Sequence, residues 1–215
     1  MNRRRYCGPA EAHEEIRGVI NRVFCQMKKI ALSIVVASAV LQVACANLTF
    51  EQMPLRTPHD FLLDIKAVAD SEDLADINGV GRRLRIELVA RPETSVYSSD
   101  RKIFRGYAVE VEQVGMGGEY SSDNFKYGIF RPKGRDFDRV LIGISVNQNA
   151  LCITPGDLKS VFGDVQRYVN PHITSLDYSY SGHAGNLDGV RRTYFRFKSG
   201  GCLFDFGFFQ NREKE

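Results

Sequence analysis

The sequence predicts an α+β fold in which an antiparallel sheet is covered on one face by helices. Three observations predict it. A helix-start pattern, Thr57-Pro58-His59-Asp60-Phe61, is echoed 97 residues later as Thr154-Pro155-Gly156-Asp157-Leu158. After each start, apolar residues recur first at helical spacing and then at every second position. Strands that alternate in this way have one apolar face, which needs a cover, and the two helices are the available lids.

The elements follow in order. Thr57 and Thr154 are N-cap residues, Pro58 and Pro155 fit the first helical position, and Asp60 and Asp157 place an acid in the first turn. Phe61, Leu62, Ile65 and Val68 line one face of the first helix, after which alternation is expected through Leu84, Ile86 and Leu88. Tyr107, Val109 and Val111 mark a further strand, Phe125 to Phe130 a short one, and Val140, Ile142, Ile144 and Val146 the strongest period-two stretch. Leu158, Val161 and Phe162 line the second helix, which Gly163 is placed to stop.

Strands then return. Leu176, Tyr178 and Tyr180 alternate, a turn passes Gly182, Gly185 and Gly189, and Thr193 to Lys198 runs extended. Ser199-Gly200-Gly201 makes a hairpin turn, after which Cys202, Phe204, Phe206 and Phe208 share a face. Each half thus reads as a helix followed by three or four strands, with residues 47–150 and 151–215 as the two α+β halves.

The N-terminal segment has another character. Lys28 and Lys29 precede the weakly polar run Ile30 to Ala46, which ends Ala44-Cys45-Ala46. That is the order of a secretory signal peptide, and the run is shorter than the about 20 apolar residues of a membrane span. Residues 27–46 are therefore read as a leader of an exported bacterial protein, with Ala44 and Ala46 at the cleavage site. Residues 1–26 are read as a mis-assigned upstream start or a disordered extension. Leu41-Gln42-Val43-Ala44-Cys45 offers a second processing route, lipidation at Cys45, although Gln42 stands where a lipobox has an aliphatic residue.

Charge and cysteine content change with that reading. The full chain carries 29 Lys or Arg and 26 Asp or Glu, a net charge of +3. Removing residues 1–46 takes away seven basic and three acidic side chains, leaving 22 and 23. The basic surplus that would point to nucleic acid goes with the leader. Two cysteines remain, Cys152 and Cys202, and an even pair in an oxidising compartment reads as a disulfide.

The segment Ile153-Thr154-Pro155-Gly156-Asp157-Leu158-Lys159-Ser160-Val161-Phe162-Gly163, with the strands after it, resembles the repeat unit of β-lactamase-inhibitor-protein-like domains. It is also similar to small outer-membrane lipoprotein domains of the SmpA/OmlA type. The resemblance covers about 60 residues of the second half well and the first half loosely. What it implies is a non-catalytic role, holding or inhibiting another exported protein.

Residues able to carry chemistry form no recognisable motif. His59, His172, His183, Cys152 and Cys202 fall in none of the close spacings that ligate metal. Ser181-Gly182-His183 with Asp188 lacks the strained turn of a nucleophile site. Asn78-Gly79-Val80-Gly81-Arg82-Arg83 lacks the third glycine of a nucleotide loop and reads as a turn before a strand, as Gly115-Met116-Gly117-Gly118 reads as a hairpin connection. Asn186 and Asp188 fall short of a calcium shell. No cofactor is expected.

The aromatic residues carry the functional lead. The sequence has no Trp, and many of its 9 Tyr and 14 Phe follow residue 176. They exceed what one short helix covers, and Phe209 should face away from Phe208. A sheet face presenting Tyr178, Tyr180, Tyr194, Arg196 and Phe209 is thus the expected contact for an exported or envelope protein, tyrosine and arginine being common interface anchors. Arg191 and Arg192 are its expected neighbours. Membrane association is expected only through the leader or a lipid anchor. The alternative is a small exported hydrolase whose site is assembled from loops.

Overall fold

Thr57 starts the first helix, α1 (Pro58–Ala69), by accepting a hydrogen bond from the Asp60 backbone N–H at 3.1 Å. Thr154 does the same for the helix Pro155–Phe162, where Asp157 also reaches back to the Thr154 N–H at 2.8 Å and completes a capping box. Gly163, at φ 67°, ends that helix. These elements come from a computed structural model that describes residues 48–71, 73–168, 176–181, 190–198 and 201–211, with backbone alone at 168, 190 and 191. The leader, including Ala44, Cys45 and Ala46, lies outside the described residues, as do His172, Gly182, His183, Gly185, Asn186, Asp188, Gly189, Ser199 and Gly200. Thr49–Glu215 clusters as one compact unit.

One expectation is overturned between the first helix and the sheet. Residues 77–84 form a helix, α2 (Ile77–Leu84), where a turn and the start of a strand were expected. Asp76 caps it by accepting from the Gly79 N–H at 3.0 Å, and Val80 and Leu84 point into the core. The two glycines disguise the helix, yet Gly81 has a packing reason. A Cβ there would sit 2.7 Å from the Ile86 carbonyl, so the helix approaches the next strand at backbone distance. The helix Pro155–Phe162 is accordingly α3.

The strands among the described residues are β1 (Ile86–Ala90), β2 (Thr94–Tyr97), β3 (Phe104–Met116), β4 (Tyr120–Pro132), β5 (Arg139–Val146), β6 (Gln166–Tyr168), β7 (Leu176–Tyr180), β8 (Val190–Phe197) and β9 (Leu203–Asn211). They make one antiparallel sheet in the order β1-β3-β4-β5-β9-β8-β7-β6, with β2 also pairing β3. The α+β class is as predicted. The short strand expected at 125–130 is the middle of the longer β4, interrupted by an irregularity between Ser121 and Lys126. Gly115 and Met116 finish β3, so the connection before β4 is tighter than expected.

The helices cover one face. Phe61, Leu62, Ile65 and Val68 of α1, and Leu158 and Phe162 of α3, pack on Val140, Ile142 and Ile144 of β5, Phe195 and Phe197 of β8, and Phe206 and Phe208 of β9 in one buried core. Phe61 meets Phe206 edge-on at 5.9 Å, and Phe162 meets Tyr180 and Phe195 at 4.9 Å each.

Beneath α1 lies a buried polar cluster that no pattern announced. Arg56, 6 % exposed, bonds to Glu119 at 3.0 Å, Asp64 at 2.8 Å, the Tyr120 hydroxyl at 2.8 Å and the Leu84 carbonyl at 3.2 Å. It thereby ties α1, the C-terminal end of α2 and the start of β4 together, satisfying a carbonyl that α2 leaves open. Burial pulls the Arg56 pKa down, but Tyr120, Asp64 and Glu119 outweigh it and the guanidinium stays charged. Burial pushes the Glu119 carboxyl up, yet its own and the Arg56 backbone N–H, with the Arg56 charge, hold it below the usual range.

Candidate functional site: the uncovered face of the sheet

Register decides which side chains share the face opposite the helices. Three rows cross it. Gly128, Leu141, Phe209 and Arg192 are successive partners in the first. Lys126, Gly143, Gly207, Tyr194 and Ser179 make the second. Ser145, Asp205, Arg196 and Asp177 make the third.

Of the residues expected on a contact face, Tyr194, Arg196 and Phe209 are brought together here. Tyr178 and Tyr180 are not. They lie on the helix-covered face, 8 % and 5 % exposed, because they alternate with Asp177 and Ser179, whose partners Arg196 and Tyr194 define the other side. Tyr178 packs edge-on against Phe197 at 5.5 Å. The Tyr180 hydroxyl donates to Asp70 and accepts from Lys66 at the end of α1. The alternation in β7 was read correctly, but a strand's register against its neighbour, which decides the face, is a tertiary property.

Phe204 moves the opposite way. It was expected beside Phe206 and Phe208 in the core, but Phe197 pairs with Leu203 while Arg196 pairs with Asp205, so Phe204 is the extra residue of a bulge. Leu203 takes the buried place at 0 % exposure, and Phe204 lines the uncovered face.

The middle of the face is low because two of its residues are glycines. Tyr194 lies over them: a Cβ at Gly207 would collide with the Tyr194 ring and the Ile142 carbonyl, and one at Gly143 would come within 3.1 Å of the Tyr194 hydroxyl. Two shallow hollows of about 420 and 490 Å³ meet along Tyr194 and Arg196. Lys126, Ser145, Phe204 and Asp205 line the first, and Arg192, Ser179 and Phe209 the second. Leu141 is 50 % and Phe209 36 % exposed, while Phe208 on the other face is 1 % exposed, as alternation required.

Arg196 holds Asp205 by two bonds, at 3.2 and 2.8 Å, and its guanidinium carbon lies 5.5 Å from the Tyr194 ring and 5.7 Å from the Phe204 ring. The arginine is thus pinned by a carboxylate and flanked by two aromatics, which restricts the orientation of its plane. Burial raises the Asp205 pKa and outweighs the Arg196 charge; burial likewise raises Tyr194.

The residues weighed for chemistry are dispersed. Among the described residues His59 is the only histidine, exposed in the first turn of α1 on the helix side. No three His, Cys, Asp or Glu converge as metal ligands among them. Cys152 and Cys202 form a disulfide, their Cα atoms 5.1 Å apart, and the Leu203 N–H donates to the Ile153 carbonyl at 2.9 Å beside it. That link holds the start of α3 to the start of β9. No helix among the described residues is long and apolar enough to cross a membrane.

Leu141, Asp205, Lys126 and the two glycines were missed by sequence reasoning. A signal was present for some: with Val140, Ile142 and Ile144 inward, Leu141, Gly143 and Ser145 must face out. No family model matches this chain, and neither a curated protein nor a solved structure matches it.

Proposed function

We propose that the chain is an exported periplasmic or envelope protein whose Thr49–Glu215 unit is a non-catalytic module that binds or inhibits another exported protein through the uncovered sheet face. The observation that carries this reading is the arrangement of Leu141, Tyr194, Arg196 and Phe209 on one open face beside shallow hollows. Half-exposed Leu141 and Phe209 offer apolar area, and a pinned arginine between aromatics is the kind of anchor that concentrates binding energy. The leader pattern of residues 27–46 and the Cys152–Cys202 disulfide support export. The sequence resemblance of residues 153–163 and the strands after them to inhibitor-protein and SmpA/OmlA-type domains points the same way.

The test uses envelope extract of the host. Tagged protein from residue 47 onward is expected to recover a partner that Leu141→Asp with Phe209→Asp loses, while Leu63→Ala, on the solvent side of α1 across the sheet, keeps it. Recovery of the same partner by the face variant at the wild-type level would refute the assignment of the face. The mass of the exported protein separates cleavage after Ala46 from a lipid-modified Cys45.

A further inference from the structure

One end of the sheet combines exposed apolar side chains with surplus positive charge, and none of these side chains belongs to the three rows just described. The turn between β2 and β3 and the turn after β4 lie side by side there, joined by the Lys133 N–H donating to the Arg105 carbonyl at 2.8 Å. Ile103 projects from the first turn at 59 % exposure, with Tyr97 at 52 % and Tyr107 at 44 %. Phe104 stacks edge-on between the two tyrosines, at 5.6 and 5.1 Å, and holds them in one cluster.

Five cations lie in and beside these turns: Arg101 and Lys102 in the first, and Arg105, Lys133 and Arg135 lining a hollow with Ile103 and Phe104. Among the described residues no carboxylate forms a salt bridge with any of them. Arg131, by contrast, is engaged by Glu93 and Asp138. Lys133 instead lies 5.8 Å over the Phe104 ring. A hollow of about 490 Å³ opens between Phe104, Phe130 and Pro132, with Arg105, Lys133 and Arg135 at its rim. Residues 100–105 and 133–136 set these five cations against two acids, Asp100 and Asp136, a surplus of three positive charges.

We propose that this end of the sheet docks on an anionic lipid bilayer, with Ile103, Tyr97 and Tyr107 in the headgroup layer and the five cations against its phosphates. Charge complementarity selects an anionic partner. The form of the site selects a surface over a discrete anion. The cations are spread over two turns and do not converge on a point, while an exposed isoleucine between two tyrosines matches the graded polarity of a bilayer interface. A soluble polyanion would engage the cations and leave Ile103 in water.

Because Thr49–Glu215 is a compact unit with its own core, the test uses residues 47–215, free of the apolar leader. Co-sedimentation with phosphatidylglycerol-rich vesicles is expected, with little on phosphatidylcholine alone, and it should weaken as salt rises. Lys102→Glu with Lys133→Glu is expected to lower binding by about tenfold or more, and Ile103→Ser by a few-fold. If the reversed pair lowers the melting temperature, Lys102→Gln with Lys133→Gln replaces it. Equal binding to both vesicle types, no binding, or variants that bind like wild type would each overturn the proposal, as would retention on heparin without vesicle binding. None of these substitutions touches Leu141, Tyr194 or Phe209, so the protein-binding face stands or falls separately.

Discussion

Arg56 shows what one side chain can decide. Its charge is buried with Glu119 and Tyr120, and the next cation to Glu119 among the described residues, Arg85, is 3.9 Å away against 3.0 Å for Arg56. Removing one member of a buried ion pair strands the other, so Arg56→Ala is expected to cost about 3–5 kcal/mol in urea unfolding. Replacing both, as Arg56→Met with Glu119→Gln, should recover part of that loss, since the buried carboxylate is gone and the remaining one, Asp64, is part-exposed to water. The same pair sets a pH dependence. Glu119 has a lower pKa folded than unfolded, so its contribution is complete above the unfolded value near 4.5 and disappears as pH falls through the lower folded value. Melts of the wild type should therefore fall more steeply below about pH 4.5 than those of Glu119→Gln. An identical slope in the two proteins would contradict the role assigned to Glu119. Arg56 was not legible in the sequence, because a single arginine in Pro54-Leu55-Arg56-Thr57 looks the same whether solvated or buried.

At the scale of elements, local chemistry was readable wherever it is self-contained. Thr57 and Thr154 cap helices in the structure because a cap requires only its own next three residues. The helix α2 escaped because two glycines lower its intrinsic propensity, and its reason for forming is the sheet it packs on. Gly81 makes the point testable. Alanine is the better helix former by roughly 1 kcal/mol, yet its Cβ would press on the Ile86 carbonyl. Steric conflict with backbone should win, so Gly81→Ala is expected to lower stability by about 1–3 kcal/mol, while Gly128→Ala, with open space around it, should be nearly neutral. Asp76→Ala should cost about 1 kcal/mol through the lost cap. Circular-dichroism melts of the three variants check the order.

For the molecule as a whole, β5 and β9 meet at the centre of the sheet, and the earlier strands run outward from each. The disulfide crosses this arrangement with a sequence separation of 50 residues. Closing such a loop is worth roughly 4 kcal/mol in the unfolded-chain entropy model, so reduction, or Cys152→Ser with Cys202→Ser, should lower stability by about that amount. Alkylation before and after reduction checks the bond itself: native protein should not label at either cysteine.

The sequence by itself determined the α+β class, both Thr-Pro helix starts, the inward row of β5, the outward turn of Phe209 and the cysteine pairing. Each rests on a period or a cap that a short segment carries within itself, or on a parity of cysteines. Only the tertiary structure decided that Tyr178 and Tyr180 are core while Tyr194 lies across Gly143 and Gly207 on the open face, and that Phe204 is displaced by a bulge. The physical reason is that alternation assigns residues of one strand to two faces without saying which face is which. That choice is made by pairing with neighbours distant in the chain and by where the helices come to rest.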